Sequence, residues 1–220
     1  MKLDPRALQI LKSFSAINPS IHVKEGKVLS TISPTKTVLA RATLTDTEFD
    51  SEFAVYDLTR FLGVLSLFDT PELDIDGKTI NISGKNGDSI SYVCADPSNI
   101  VTPPDKELKL PSQDVKFTLK EADFTRVIKA LSVLGLPEIA VVGDGSKVYL
   151  QAADSKNPTG DVYKTPVGET DKTFRVIFKS ENLKILPGEY EVTISNKGLS
   201  LFVGPDVQYF IAVEGSSKFN

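Results

Sequence analysis

Few residues in this chain of 220 could perform covalent or metal chemistry. It contains one Cys, Cys94, and one His, His22. A single Cys excludes intramolecular disulfides and zinc sites built from several Cys ligands. His22 lies in a β-like stretch, and we interpret it as an ordinary strand residue rather than the base of a Ser-His-Asp or Cys-His site. Cys94 is interpreted as a small buried apolar residue.

The remaining candidates for catalysis or nucleotide binding are pairs of carboxylates and one Gly-rich segment. The pairs occupy alternate positions beside predicted hairpin turns, as Asp74 with Asp76 and Glu189 with Glu191. Such positions are typical of solvated strand residues. Residues 143–147 lack the G-x-x-x-x-G-K-[ST] spacing of a phosphate-binding loop. The sequence therefore predicts a protein that is not an enzyme, with no catalytic residue, metal site or cofactor.

Helices and strands can be placed from the spacing of apolar residues. Four windows have helical spacing: 4–17, 57–67, 119–134 and 179–186. Their apolar stripes comprise Leu8, Leu11 and Phe14, then Leu58, Phe61, Leu62 and Leu65, then Phe124, Val127, Ile128, Leu131 and Leu134. Turn residues predict hairpins joining 21–23 to 28–32, 73–75 to 79–82, 139–142 to 147–150 and 190–194 to 199–203. Further strands are expected at 38–44, 48–56, 89–94, 116–119, 160–167, 173–178 and 207–213.

A Pro-rich run at 97–106 can hold neither a helix nor a central strand, because proline has no backbone N–H to donate. It predicts an N-terminal domain at 1–96, a connector at 97–113 and a C-terminal domain at 114–220. Both halves have the same order of elements, and 53–65 aligns with 174–186 at a constant offset of 121. We therefore expect an α+β protein of two similar domains, each with two helices packed on antiparallel sheets.

The net charge of −4 argues against a protein that binds DNA with a uniformly basic surface. The charge is unevenly distributed, however. The helical windows contain eight basic and five acidic residues, a net of +3 that leaves −7 elsewhere. The bases are Arg6, Lys12, Arg60, Lys120, Arg126, Lys129, Lys179 and Lys184. Either they only solvate the helices, or the helices form one basic face that attracts phosphates without reading bases.

Residues 53–67, FAVYDLTRFLGVLSL, resemble the D-V-A-I-Y-D-L-N-G-F-L-G-I-L-S-L run of the sliding clamps of T4-type bacteriophages, which are DNA polymerase processivity factors. Supporting stretches at 11–18, 95–98 and 186–190 extend the resemblance over nearly the whole chain. It implies the DNA-clamp fold and a head-to-tail homotrimeric ring, with helices lining a central hole and sheets outside. The eight helical bases would then face duplex DNA without sequence specificity.

The resemblance also implies protein partners. A hydrophobic pocket beside the connector would bind peptides of the DNA polymerase and of the ATP-dependent clamp loader, and these clamps also support late transcription. By position, the pocket would comprise Ile32, Thr37, Leu108, Leu110, Phe210, Ala212 and Val213. Subunits would pair through edge strands at 89–95 and 161–167. The contact residues would be Ser89, Ser91, Val93, Val162 and Lys164.

No signal peptide or membrane span is expected, because Lys12 and Ser13 interrupt the apolar stretch 7–11 and no window reaches about 20 apolar residues. The expected location is the cytoplasm of an infected bacterial host, with no membrane partner. Two alternatives stay open from the residues alone. One is a β-rich phage structural or assembly protein without DNA binding, and the other is a small hydrolase.

Overall fold

The computed structural model describes residues 1–219, and the chain divides into two compact units, Met1–Lys106 and Glu107–Asn220. This division lies inside the segment 97–113 that the sequence marks as a connector. The first unit contains α1 (Pro5–Ser15), β1 (Ile21–Val23), β2 (Val28–Ile32), β3 (Val38–Thr43), β4 (Phe53–Val55), α2 (Leu58–Leu65), β5 (Glu72–Ile75), β6 (Thr79–Ser83), β7 (Ser89–Val93) and a 3₁₀ turn at Pro97–Asn99.

The second unit contains one long helix and nine strands within the described residues. They are β8 (Val115–Leu119), α3 (Glu121–Leu134), β9 (Glu138–Asp144), β10 (Lys147–Ala153), β11 (Tyr163–Glu169), β12 (Thr173–Lys179), a 3₁₀ helix at Ser180–Leu183, β13 (Tyr190–Ser195), β14 (Leu199–Val203), β15 (Val207–Ala212) and β16 (Lys218–Phe219). Gly135 ends α3 in the left-handed region at φ 63°, where its N–H bonds to Leu131. The sequence predicted this helix end, and the structure confirms it.

Strand pairing is antiparallel throughout both units. In the first unit β1 pairs with β4, β2 with β3, and β6 lies between β5 and β7. In the second unit the order β11-β10-β9-β12-β16 forms one sheet, and β13 lies between β8 and β14, with β15 beyond β14. The predicted hairpins β5–β6, β9–β10 and β13–β14 are confirmed.

The predicted hairpin between 21–23 and 28–32 is wrong, because β1 pairs with β4 and β2 with β3. Gly26, at φ 106°, exchanges two backbone hydrogen bonds with Phe49, and Lys27 accepts one from Leu44. These long-range bonds occupy the backbone groups that a tight turn would use. The strand expected at 48–56 is limited to β4, Phe53–Val55.

The fourth predicted helix, 179–186, is only the 3₁₀ helix Ser180–Leu183, so the second unit has one α-helix instead of two up to residue 219. Lys179 makes no side-chain cap to this segment. Further along, the Leu186 N–H donates to the Tyr209 hydroxyl at 3.1 Å, and the Tyr190 hydroxyl donates to the Leu186 carbonyl at 2.6 Å. Tyrosine side chains thus supply hydrogen bonds that a second helical turn would have made internally.

The two units nonetheless repeat one arrangement. In the second unit β8 pairs with β13, with Leu119 opposite Tyr190. In the first unit the chain start has the same role, because Met1 and Leu73 exchange two hydrogen bonds at the start of β5. Each unit also has its own aromatic cluster. The ring centroids of Phe53 and Phe61 lie 6.4 Å apart in the first, and those of Phe178 and Phe202 lie 6.0 Å apart in the second.

Candidate functional site

Helix α1 places two of the eight predicted DNA-facing bases. Asp4 caps the helix by accepting from the N–H groups of Arg6 and Ala7 at 2.7 and 2.9 Å, and Pro5 occupies the first turn. The buried face of the helix comprises Ala7, Ile10, Leu11 and Phe14. Lys12 therefore points into solvent, and Arg6 is half-buried with its guanidinium 2.7 Å from the side-chain oxygen of Gln9.

Asp4 also holds α1 against the rest of its unit. Burial raises the pKa of Asp4, but hydrogen bonds from the Thr47 hydroxyl and from the N–H groups of Ala7 and Arg6 outweigh burial and keep the pKa below its ordinary value. The carboxylate is thus ionised at the positive end of the helix dipole. This cap fixes where α1 begins and hence the direction in which Lys12 projects.

The bases of α2 and α3 differ in their surroundings. Arg60 is exposed on α2, whose cap Asp57 accepts from the Arg60 N–H at 2.9 Å. Lys120 precedes α3 as its N-cap residue and is exposed, as is Lys129. Arg126 is also exposed, but its guanidinium forms an ion pair with Asp123 one turn earlier. Its charge is therefore partly compensated within the helix.

The last two predicted bases flank the 3₁₀ helix rather than lying on an α-helix. Lys179 is the final residue of β12, and its ammonium lies 3.8 Å from a Glu214 carboxylate oxygen. Lys184 follows the 3₁₀ helix and is exposed. The structure therefore places Lys179 and Lys184 at the two ends of a 3₁₀ helix, which corrects their expected placement on an α-helix.

Each unit has a groove beside its helices, with lysine on its rim. The first, of about 510 Å³, lies between α1 and α2 and includes Lys12 and the half-buried Leu8 and Leu62. The second, of about 730 Å³, lies between α3 and the segment 180–187 and includes both Lys129 and Lys184. The structure thus brings Lys129 and Lys184 together on one surface of the second unit.

Predicted subunit-contact residues of the first unit lie on β7, at the edge of the sheet β5-β6-β7. The Cys94 N–H donates to Lys78, and Asp88 accepts from Gly84, so even-numbered residues of this strand face β6. The N–H and C=O groups of the alternate residues Ser89, Ser91 and Val93 therefore point away from the sheet. Val93 is also 74% exposed. These three predicted residues form one accessible strand edge.

The predicted contact residues of the second unit lie on or beside β11, at the edge of another sheet. Ser146 accepts from Thr170, so alternate residues of β10 face β11, and a bulge near Val148 shifts the register. Lys164 and Pro166 consequently direct their backbone groups away from β10. The Lys164 ammonium lies 3.6 Å from the centre of the Tyr149 ring, which holds the side chain in place. Val162 precedes the strand and is 52% exposed.

The predicted partner-peptide residues belong to both units and differ in their exposure. Ile32 is buried at the end of β2, and Thr37 is half-buried with its hydroxyl 2.8 Å from that of Thr35. Leu108 is 38% exposed and Leu110 is half-buried, in a segment without regular structure. Phe210, on β15, is buried, whereas Ala212 at the end of this strand and Val213 after it are half-buried.

Sequence reasoning missed several exposed apolar residues at helix ends. Leu134 was predicted to belong to the buried stripe of α3, but it is 40% exposed, and the neighbouring Val133 is 75% exposed. Leu67, just after α2, is 71% exposed. A helical stripe cannot reveal this, because it shows which residues share a face but not where the packed surface beneath that face ends.

Residues 1–219 also bear on metal binding and on membrane insertion. No group of three or more His, Cys, Asp or Glu side chains there has an arrangement that could hold a metal ion. None of the helices in this part of the chain has the length and hydrophobicity needed to cross a bilayer. The features that stand out are therefore surfaces, namely exposed bases beside grooves and two accessible strand edges.

Known proteins are similar to this chain in sequence and in fold. Residues 4–102 match the family model described as DNA polymerase processivity factor, and residues 116–215 match that of the gp45 sliding clamp, C terminal. The sliding clamp of Vibrio phage KVP40 is 34% identical over 97% of this chain and 99% of its own. That of Enterobacteria phage T4 is 28% identical over 99% and 98%.

Among solved structures, the PCNA of A. fulgidus, bound by the C-terminal region of FEN-1, has a TM-score of 0.68 at 17% identity and covers 96% of both chains. This likeness confirms the clamp fold. Sliding clamps tether DNA polymerases and are not catalysts, which disfavours the hydrolase and the structural protein considered above. The chain belongs to the sliding clamp family, the DNA polymerase processivity factors of T4-type bacteriophages.

Proposed function

We propose that three copies of this chain form a head-to-tail ring that encircles duplex DNA and tethers the replicative DNA polymerase. One observation carries the proposal: each unit has an accessible strand edge, and the two edges differ. The first unit offers β7 and the second offers β11. A contact between two different surfaces of one chain is heterologous, and heterologous contacts close into rings when the rotation per subunit allows it.

Pairing of the two edges would extend both sheets by β-augmentation. The edge of β7 offers three N–H and three C=O groups, from Ser89, Ser91 and Val93. The edge of β11 offers the N–H and the C=O of Lys164, but only the C=O of Pro166. Val93 and Val162 are exposed in the single chain and would be covered by such a contact. Burial of their side chains would add to the main-chain hydrogen bonds.

The bases beside the helices support the DNA assignment. A trimer would carry about −12 in total and about +9 on its helical windows, so a negative protein can still present a positive lining. Lys12, Arg60, Lys120, Lys129 and Lys184 are exposed and form no ion pair within residues 1–219. Contacts to phosphates would be independent of sequence. Because encirclement retains the ring, these contacts can stay weak and allow sliding.

The proposal includes the partners of the clamp. Short segments of the polymerase and of the ATP-dependent clamp loader would bind the residues that the resemblance implies for partner peptides, which are Ile32, Thr37, Leu108, Leu110, Phe210, Ala212 and Val213. The archaeal PCNA bound by the C-terminal region of FEN-1 supports this, because it shows a protein terminus on a clamp of this fold. A role in late transcription and a location in the cytoplasm of the infected bacterium belong to the same proposal.

Topological retention provides the test. Labelled protein is loaded on a nicked circular duplex by the clamp loader of the same phage with ATP, and washed in salt that abolishes direct DNA binding. We expect retention on the circle and release when the circle is linearised. Equal retention before and after linearisation would contradict encirclement. A chain that sediments only as a monomer at every concentration would contradict the ring.

A further inference from the structure

Two buried polar atoms of the first unit have no hydrogen-bond partner, and they line the same pocket. Within residues 1–219 they are His22 Nε2 and Arg41 Nε. The pocket has a volume of about 200 Å³. Buried polar groups in native proteins are nearly always paired, and an unpaired one points to a bound species or a functional role. Because His22 Nε2 lies near a Glu52 carboxylate oxygen, Arg41 Nε is the buried donor of this pocket that lacks a nearby acceptor, and it indicates a site for a hydrogen-bonding ligand.

The fold explains why Arg41 is held there. Its neighbours Ala40 and Ala42 on β3 are buried in the core, at 0 and 1% exposure, so Arg41 faces the opposite side of the strand. Ser30 lies directly opposite Arg41 on β2. Residues 102–105 form another wall of the pocket and confine the guanidinium between strands and loop.

The charges around the pocket differ between its mouth and its interior. At the mouth, Lys24 and Asp105 form an ion pair of 2.6 Å that largely compensates both charges. Inside, Arg41 forms no ion pair with any residue in 1–219. His22 Nε2 lies 2.9 Å from a Glu52 carboxylate oxygen but without the alignment of a hydrogen bond. The interior thus contains a permanently charged donor with no acceptor.

We propose that this Arg41 pocket binds a carboxylate group of the size that an acidic side chain carries. A carboxylate can accept from the Nε–H and one terminal N–H of an arginine at once, and that geometry uses the unpaired Nε. The Glu25 carboxylate at the rim disfavours a doubly charged phosphate, whereas one carboxylate is balanced by Arg41 alone. The pocket is large enough for one such side chain. All lining residues belong to the first unit, so the inference is independent of ring closure.

The side-chain N–H of Arg41 can be observed directly in ¹⁵N-labelled, deuterated full-length protein by NMR. The probe is N-acetylglutamate α-amide, whose only charge is the side-chain carboxylate. We expect a saturable shift of the Arg41 Nε–H signal. The isosteric N-acetylglutamine amide should bind about tenfold or more weakly, because a charge-assisted hydrogen bond is lost. The variant Arg41→Gln, whose binding is followed by the backbone N–H signals of the other pocket residues, should show the same loss. Arg175, whose guanidinium already bonds to Gln151 at 3.1 Å, is the internal control and should not shift.

Three results would overturn the proposal. The first is the absence of a saturable shift at Arg41, which would leave the pocket to water. The second is equal binding of the glutamine probe. The third is inorganic phosphate binding as tightly as the glutamate probe, which would make the pocket a general oxyanion site. If Arg41→Gln does not fold, as judged by circular dichroism, Arg41→Lys replaces it. That variant keeps the charge but loses the paired donors, and its affinity should also fall.

Discussion

Ser91 at the centre of β7 offers the sharpest test of the proposed ring. Its backbone N–H points away from β6, because the neighbouring even-numbered residues make the bonds to β6. The substitution Ser91→Pro therefore removes an outward donor and leaves the ladder within the sheet intact. Proline is tolerated on edge strands in this orientation, and Ile90 before it already has the extended conformation that proline requires.

The expected effect follows from the geometry of one strand contact. With Ser91→Pro, a carbonyl of the partner strand would be buried in the contact without a donor, at a cost of about 1–3 kcal/mol. Subunit association through each contact should weaken by about 5- to 150-fold. A closed trimer contains the contact three times, so the equilibrium constant for trimer formation changes by the cube of this factor. Subunits should then dominate at concentrations where the wild type is assembled.

Sedimentation velocity over a concentration series measures this change. The control is Ser91→Ala, which removes the hydroxyl but keeps the N–H and should assemble like the wild type. Thermal unfolding of the Ser91→Pro monomer should resemble that of the Ser91→Ala chain under dissociating conditions. If Ser91→Pro assembles with unchanged affinity, β7 does not pair with another subunit through its free edge. The strand contact would then have to be assigned elsewhere.

Three further perturbations test other parts of the structure. The double variant Lys12→Glu with Lys129→Glu should leave the oligomer intact. It should lower the slope of log DNA affinity against log salt, measured by fluorescence anisotropy, by about 1 per lost phosphate contact. The control Lys156→Glu, outside the helices, should leave this slope unchanged. Tyr190→Phe should destabilise the second unit by about 1–3 kcal/mol in urea unfolding, because a buried carbonyl loses its donor; an equal loss from an exposed tyrosine would contradict this. Asp4→Ala should cost about 1 kcal/mol at pH 7. Folding lowers the pKa of this carboxyl, so its contribution to the free energy of unfolding is present above the unfolded pKa of about 3.9 and is lost as the pH falls through the folded pKa. The difference in stability between variant and wild type should therefore shrink at pH 3.

Local chemistry made much of the fold predictable from the sequence. Asp4 followed by Pro5 marks the start of α1, and Gly135 marks the end of α3, because each residue type suits the backbone that its position requires. The turn at Asp76-Gly77 similarly predicts the β5–β6 hairpin. In the candidate site, Ser89, Ser91 and Val93 follow from the resemblance to the T4-type clamps, and the hydrogen bonds between β6 and β7 place all three on one strand edge.

Features set by distant contacts were not predictable. The local sequence predicts that Gly26 belongs to a hairpin turn, yet its backbone bonds to that of Phe49, which is 23 positions away. The fourth helix failed for the same reason, since Tyr190 and Tyr209 bind the backbone of Leu186 in place of helical bonds. The Arg41 pocket also has no local signature, because a strand arginine between two alanines does not reveal which loop covers it.

The edge of β11 differs from that of β7 in a way that disfavours pairing with a second β11 edge. The β11 edge carries Lys164, Pro166 and a bulge, which are devices that keep exposed edges from uncontrolled association. Two β11 edges placed together would each lack the N–H of Pro166 and would bring two lysines close. A β7 edge opposite β11 lacks only one donor, and its serines add no charge. The contact between unlike edges therefore keeps more hydrogen bonds than the β11 contact between like edges. That difference disfavours a β11-paired dimer relative to the proposed contact between β7 and β11.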